Sequence, residues 1–140
     1  MKFVTDRTKS DVLLGTDKGR YNVSDLNRVE SAVAYLYAIV KIRGIDIEQL
    51  DVKRDWRMTE VFSAEKWPTK KQMTRYLNNV QSLCKAVELA ADLPSSMENL
   101  TWNGANQIEK ALSLVHKRTQ GVIKILRFSG EIFAGEENYL

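Results

Sequence analysis

The spacing of apolar residues predicts three long helices, the first running from about Asn22 or Ser24 to about Arg43. Apolar residues three and four positions apart form one row on this helix, and a second row lies beside it. The first row is Leu26, Val29, Val33, Leu36 and Val40, and the second is Tyr35, Ile39 and Ile42. Since a surface helix needs only one such row, we expect burial on two sides.

The ends of the three helices carry recognisable capping residues. Asn22 with Asp25, or Ser24 alone, can cap the first helix, and Gly44 can end it. Thr69-Lys-Lys-Gln72 has the pattern of a capping box and opens an amphipathic second helix that ends near Leu89. The third helix is predicted from about Ala105 to Phe128, after a turn at Asn103-Gly104.

These patterns predict a mainly all-α fold, in which three long helices form a small bundle with short extended N- and C-terminal segments. We divide the chain into an N-terminal arm (residues 1–20), a helical domain (21–128) and an extended C-terminal tail (129–140). Phe3-Val4 and Ile132-Phe133 either pair with each other or dock on another subunit. Residues 45–68 are ambiguous, with a short turn or one helical turn at Ile45–Leu50 and aromatic anchors from Trp56 to Phe62.

Two of the helix starts share a sequence pattern. Asn27-Arg-Val-Glu-Ser-Ala-Val33 resembles Asn106-Gln-Ile-Glu-Lys-Ala-Leu112, and each follows an aromatic residue paired with asparagine. The two starts could pack as a pseudo-symmetric pair. Chance, or the residue preferences common to helix starts, explains so short a match equally well.

Composition places the chain among ordinary globular proteins. It has 140 residues, 44% hydrophobic and 28% charged, enough for one domain with a core. The formal charge of +3 is a weak field. The longest apolar run, Ala32–Val40, is far shorter than the ~20 residues that span a bilayer, and the charged N-terminus is not a signal peptide. We therefore expect no membrane partner and no export by a leader sequence.

The residues that could carry enzyme chemistry lack suitable neighbours. His116 is the single histidine, and no metal-ligand spacing surrounds it. Cys84, the single cysteine, lies on an apolar helix face, which indicates a core thiol in a reducing compartment. The carboxylate pairs Glu136-Glu137 and Asp46/Glu48 lie in exposed segments. The sequence therefore predicts no enzyme, no catalytic or metal site and no cofactor.

Two clusters of basic residues keep nucleic-acid binding as an alternative. One lies at the start of the second helix and one on the third, and acidic residues interleave with both, so we favour a solvated surface. The clusters are Lys66, Lys70, Lys71 and Arg75, and Lys117, Arg118, Lys124 and Arg127.

Aromatic residues outside regular elements either tie loops to the core or anchor a partner. The two apolar rows of the first helix and the two non-helical termini raise the second possibility. The predicted partner interface is Phe3, Tyr35, Tyr37, Trp56, Phe62, Trp102, Ile132 and Phe133.

Several stretches of the chain together resemble tail- and baseplate-associated structural proteins of phages, prophages and phage-tail-like particles of Gram-positive bacteria. The most specific is Tyr21-Asn-x-x-Asp-Leu-Asn-Arg-Val-Glu30. The others are Asp6-Arg-Thr-x-x-Asp-Val12, Asp55-Trp56, Met73-x-x-Tyr-Leu-x-Asn-Val80, Leu93-Pro-x-Ser-Met97, Leu100-Thr-Trp-Asn-Gly-Ala-Asn-x-Ile-Glu109 and Phe128-Ser-Gly-Glu-Ile-Phe-Ala-Gly-Glu136.

The resemblance implies a structural subunit of a tail, baseplate or fibre attachment, present in many copies and contacting other tail, baseplate or fibre proteins. It implies a place in a virion or tail-like particle that is assembled in the bacterial cytoplasm. It identifies no chemistry, because such proteins are recognised by neighbouring genes. The alternative function is a nucleic-acid-binding or regulatory helical domain, although we do not expect nucleic acid as a partner.

Overall fold

The fold contains four helices in the residues that the structure describes. A computed structural model describes residues 1–57 and 68–135, with side chains up to residue 120. The helices are α1 (Lys9–Leu14), α2 (Val23–Ile42), α3 (Lys70–Ala86) and α4 (Trp102–Gly135), and no strand occurs within these ranges. The predicted all-α bundle of three long helices is confirmed. The short α1 is an addition inside the predicted N-terminal arm.

The core lies where α2, α3 and α4 meet, since each of these helices packs against the other two. The first apolar row of α2 is fully buried in this core. The second row is not, because Tyr35 is 52% exposed and Ile42 is 75% exposed. The prediction of burial on two sides is therefore wrong: two neighbouring helices that also touch each other cover only one side of α2.

Capping boxes open the first three helices. In each box the capping side chain accepts a hydrogen bond from a backbone amide three residues on, and that residue's side chain accepts one from the capping residue's amide. The predicted box at Thr69/Gln72 is confirmed, and of the two caps expected for α2 it is Asn22 with Asp25 that forms one, also as a box. A third, Thr8/Asp11, opens α1. Sequence reasoning missed α1, although this box was its signal.

The ends of α2 and α3 have the same backbone geometry but different residues. After α2, Gly44 adopts a left-handed conformation (φ 73°), and Ile45 donates its amide to the Val40 carbonyl. After α3, Glu88 takes the left-handed position (φ 55°) without being glycine. Arg118 of α4 donates to the Glu88 carbonyl (2.7 Å) and so ties this strained end to the bundle.

The helix α4 exceeds its predicted bounds at both ends. It begins at Trp102, behind Thr101, whose hydroxyl accepts from the Gly104 amide (3.0 Å), so the predicted turn at Asn103-Gly104 is wrong. It continues to Gly135, so the extended tail predicted for residues 129–140 is wrong for 129–135, and residues 136–140 lie outside the described residues. No proline interrupts this stretch, and an interior glycine costs only about 1 kcal/mol. At 34 residues, α4 is about 51 Å long.

The two non-helical segments lie against the bundle. Residues 1–8 reach α4, where the Val4 amide donates to Glu109 (3.0 Å), so Phe3-Val4 does not pair with the helical Ile132-Phe133. Residues 45–57 contain no helical turn, contrary to one of the two expectations for Ile45–Leu50. Their apolar side chains instead pack on the core: Ile45, Ile47, Leu50, Val52 and Trp56. Phe62, in the 58–67 gap, lies outside the described residues.

Replacing Glu88 with glycine should stabilise the fold by about 0.5–1 kcal/mol, because glycine adopts positive φ without the steric cost that other residues bear. The matched control is Gly44→Ala, which imposes that cost at φ 73° with open space around the added methyl group and should destabilise by a similar amount. Urea unfolding of both variants measures the two changes. A destabilised Glu88→Gly variant would contradict the assignment of strain to this residue.

Candidate functional site

Two carboxylates inside the bundle hold the non-helical segments in place, and the first belongs to α2. Asn27 and Glu30, here called the α2 clamp, bind the backbone of residues 53–56. The Trp56 amide donates to Asn27 Oδ1 (2.8 Å) and its carbonyl accepts from Asn27 Nδ2 (2.9 Å), while the Lys53 amide donates to Glu30 Oε1 (3.1 Å). Glu30 also accepts from the Trp56 indole (2.5 Å) and from both terminal nitrogens of Arg75 (2.9 and 3.0 Å).

The α4 clamp consists of Asn106 and Glu109, and it binds the backbone of residues 4–7. The Arg7 amide donates to Asn106 Oδ1 (3.0 Å) and the Arg7 carbonyl accepts from Asn106 Nδ2 (2.9 Å). The Val4 amide donates to Glu109 Oε1 (3.0 Å). Glu109 Oε2 also accepts from the Arg7 guanidinium (2.7 Å) and from Arg28 of α2 (2.6 Å).

The two clamps have the same pattern of hydrogen bonds. In each clamp, the asparagine side chain bonds with both the backbone amide and the carbonyl of one segment residue, Trp56 or Arg7. The glutamate, three positions after the asparagine, accepts from the amide of the residue three positions earlier in the segment, Lys53 or Val4. Each glutamate also binds the side chain of Trp56 or Arg7 and an arginine from a neighbouring helix. The resemblance between the two helix starts therefore corresponds to one recognition device used twice.

The two clamps hold segments that stand differently in the chain. Residues 4–7 precede α2 and are held by α4, the last of the described helices, whereas residues 53–56 lie between α2 and α3 and are held by α2. The α4 clamp therefore joins the two ends of the described bundle, and the α2 clamp fixes the connection that follows its own helix.

The α4 clamp is the centre of a buried ionic cluster of two arginines and two carboxylates. Arg7 binds Asp25 (3.1 Å) as well as Glu109, and Arg28 binds Asp25 (2.6 Å) as well as Glu109. The side chains of Arg7, Asp25 and Glu109 are at most 9% exposed. Hydrogen bonds to Glu109, more than those to Asp25, raise the pKa of Arg28, so its charge persists at every accessible pH. Buried charges on this scale are tolerated only when each has its partner.

A pair of tyrosines closes the cluster toward α3. The Tyr21 hydroxyl is hydrogen-bonded to that of Tyr76, and the Arg7 guanidinium lies over the Tyr21 ring (5.6 Å to the centroid). Burial raises the pKa of both hydroxyls above the usual tyrosine value, and the charge of nearby Glu109 raises both further. The mutual hydrogen bond lowers the pKa of Tyr21 and raises that of Tyr76. The pair therefore connects the arm to all three long helices.

An exposed apolar patch lies beside this cluster, made of Val12, Leu13, Leu14 and Trp102. Leu13 and Leu14 are 75% and 79% exposed, and none of the six residues of α1 is buried by the described part of the chain. Val12 and Trp102 line one groove of about 300 Å³ together with Tyr21 and Leu100. Exposed apolar side chains grouped in this way are typical of sites that contact another protein.

Comparison with known proteins adds no identity to this geometry. No family model, no curated protein and no solved structure matches the chain. The function must therefore be argued from the residues themselves.

The predicted interface residues have different positions in the structure. Trp56 is a correction: it is only 3% exposed and its indole binds Glu30, so it anchors its own segment and offers no surface to a partner. Phe3 and Tyr37 are half-buried against the core, while Tyr35 and Trp102 are exposed. Ile132 and Phe133 lie in α4, where side chains are not described. Val12, Leu13 and Leu14 were missed because α1 was missed.

The other candidate groups have local roles. Burial raises the pKa of the Cys84 thiol to about 11, which makes a nucleophilic thiolate scarce. His116 packs edge-on to Tyr35, with ring centroids 6.1 Å apart. Across the described residues, no group of three or more histidine, cysteine or acidic side chains could hold a metal ion. No helix in that part of the chain is long and apolar enough to cross a membrane.

Replacing Glu109 with glutamine should destabilise the fold by about 3–5 kcal/mol, because the buried guanidinium of Arg7 and the partly exposed one of Arg28 would lose a charged partner. Glu98→Gln, at an exposed position outside the cluster, is the matched control and should change stability by less than about 0.5 kcal/mol. Chemical denaturation measures both variants. Equal, small losses would show that the cluster is not a structural centre.

Stability should fall as pH rises above about 10, the pKa of an unfolded tyrosine. Folding raises the pKa of Tyr21 and Tyr76, so above about pH 10 the unfolded state releases protons that the folded state retains. This release favours unfolding, so the unfolding free energy falls as pH rises toward the folded pKa values. The Tyr21→Phe/Tyr76→Phe double variant should show a shallower decline of unfolding free energy between pH 10 and pH 12. Tyr35→Phe, at an exposed ring, should keep the original slope.

Proposed function

We propose that this protein is a structural subunit of a phage tail, baseplate or fibre attachment, or of a related contractile tail-like particle, and that it acts through protein–protein contacts rather than catalysis. The observation that carries the proposal is the exposed apolar patch. Because α1 buries none of its residues and exposes two adjacent leucines, packing within the isolated fold contributes little to its stability. Such a surface is stabilised when another chain covers it.

The chemistry of the interior supports the same proposal. The carboxylates that might serve as a catalytic pair, Glu30 and Glu109, are each saturated by backbone amides and arginines. A general acid or base needs an accessible proton and a pKa near neutrality. Carboxylates held by guanidinium groups inside a bundle instead fix the register of the segments that they bind.

The resemblance of the Tyr21–Glu30 stretch to tail-associated proteins points to the kind of assembly. In this fold that stretch contains Asn22 and Asp25, which cap α2, and the α2 clamp. The second stretch of the resemblance, Leu100–Glu109, contains Thr101, which caps α4, and the α4 clamp. The shared residues are therefore those that build a rigid scaffold, as a multi-copy structural subunit requires.

A nucleic-acid-binding or regulatory helical domain is less well supported. Two arginines of the basic clusters are engaged inside the fold, since Arg75 binds Glu30 and Arg118 binds the carbonyls that follow α3. Lys70, Lys71 and Lys117 remain exposed, which leaves three described lysines of the two clusters at the surface. Phosphate contacts need guanidinium or ammonium groups free to reach the backbone of a nucleic acid.

The test is mass spectrometry of tail-like particles purified from the cells that encode this chain. The wild-type chain should be present in the particles, and the Leu13→Ser/Leu14→Ser variant should be lost from them while its unfolding free energy changes by less than about 0.5 kcal/mol, because both leucines are exposed. Ile42→Ser, at an equally exposed residue of α2, is the matched control and should still be incorporated. Absence of the wild-type chain from the particles would overturn the proposal.

A further inference from the structure

The N-terminal arm is joined to the bundle in a way that permits exchange. Its residues 4–7 dock on the α4 clamp, and fourteen residues (8–21) lead from there to the start of α2. The two ends that those fourteen residues join are close together, because the Arg7 guanidinium lies 3.1 Å from Asp25 in the first turn of α2. Fully extended, they would span up to about 46–50 Å.

The connecting residues form a small unit that is bonded to itself and not to the bundle. The Thr8/Asp11 box, the Thr16 contacts with Asp11 and the Lys18 pairs with Asp6 and Asp11 stay within residues 6–20. Gly19 lies so close to the Asp11 carbonyl that an added Cβ would meet it at 2.3 Å. In the described structure, residues 8–20 donate no hydrogen bond to the three long helices. The unit can therefore swing about Arg20, ahead of Tyr21 and Asn22, which stay bound to the bundle, without breaking any such bond.

The α4 clamp, by contrast, must stay filled. Glu109 has no exposed side-chain surface, and the arm supplies two of its hydrogen bonds, from the Val4 amide and the Arg7 guanidinium. An empty clamp would leave a buried charge short of partners, which is costly. The clamp recognises backbone groups and one arginine, and an identical arm from a second chain offers all of them.

We infer that the α4 clamp of one copy accepts the N-terminal arm of a second copy, so that neighbouring subunits are linked by reciprocal arm exchange. This inference rests on the proposed multi-copy function and names one contact of that assembly. Each exchanged arm re-forms the same bonds that the closed chain makes, so exchange costs only the entropy of association. It also places both α1 helices between the two bundles, where Leu13 and Leu14 can be covered.

The arrangement of the two clamps within one chain supports the same geometry. Inside a single molecule, the same pattern of hydrogen bonds already holds two different segments, with Trp56 in the role that Arg7 has at the other clamp. The second segment is tethered at both ends, between α2 and α3. Residues 4–7, by contrast, reach the bundle through residues 8–20, which are bonded to one another, so it is the α4 clamp that can take its segment from another chain.

The experiment uses the full chain in two isotopic forms. Equal amounts of ¹⁴N- and ¹⁵N-labelled protein are unfolded, mixed and refolded at about 1 mM, a concentration that favours association. A lysine-reactive cross-linker then joins Lys2 of the arm to Lys110 or Lys117 of α4, and mass spectrometry identifies the isotopes in each linked pair. Arm exchange predicts that about half of these pairs are mixed, as random pairing of two forms requires.

The internal control is the pair Lys85–Lys117, which joins α3 to α4 near the Arg118 contact with Glu88. Arm exchange leaves this pair within one chain, so it should remain of one isotope. Same-isotope pairs alone at Lys2 would overturn the inference, and so would mixing at both positions, which indicates unspecific association. These outcomes involve no particle, so failure of exchange leaves the particle experiment to decide the proposed function separately.

Discussion

Two buried glutamates determine how this chain is organised. Glu30 and Glu109 are each about 1% exposed or less, and a carboxylate in such a place is tolerated only when donors surround it. The donors come from remote parts of the chain: two backbone amides of non-helical segments, two arginines from other helices, one indole and the Arg7 guanidinium. The demand for these partners brings together segments that the helices alone would leave free.

The apolar core and the clamps therefore have different roles. Burial of the rows on α2, α3 and α4 drives the helices together, and many combinations of apolar residues of similar size would do so. The clamps decide where residues 1–8 and 45–57 lie, because neither segment has helix or strand hydrogen bonds of its own. Hydrogen bonds from several distant groups to one carboxylate favour one arrangement over its near neighbours. This division of labour suits a subunit whose surfaces must be presented to neighbours in one geometry.

Contacts between residues distant in the chain also explain which functional assignments from the sequence failed. Trp56 has the composition and the irregular setting of an interface anchor, yet its indole is bound to Glu30 inside the fold. Arg75 and Arg118 look like members of basic surface clusters, yet Arg75 is bound to Glu30 of α2 and Arg118 to carbonyls that follow α3. A side chain's availability depends on contacts with residues distant in the chain, and local sequence does not contain them. The sequence pattern shared by the Asn27 and Asn106 stretches did indicate the two clamps. It did not indicate which segments the clamps bind.

The sequence by itself determined the local structure: the three long helices, the capping boxes at Asn22 and Thr69, the glycine at the end of α2 and the buried apolar rows, because these depend on residues within one or two turns of each other. It contained the box of α1 as well. Only the tertiary structure decided that the second row of α2 faces outward, that residues 4–7 lie on the α4 clamp and that residues 53–56 lie on the α2 clamp. Those outcomes follow from which helices meet and from where buried charges find partners, and both are long-range.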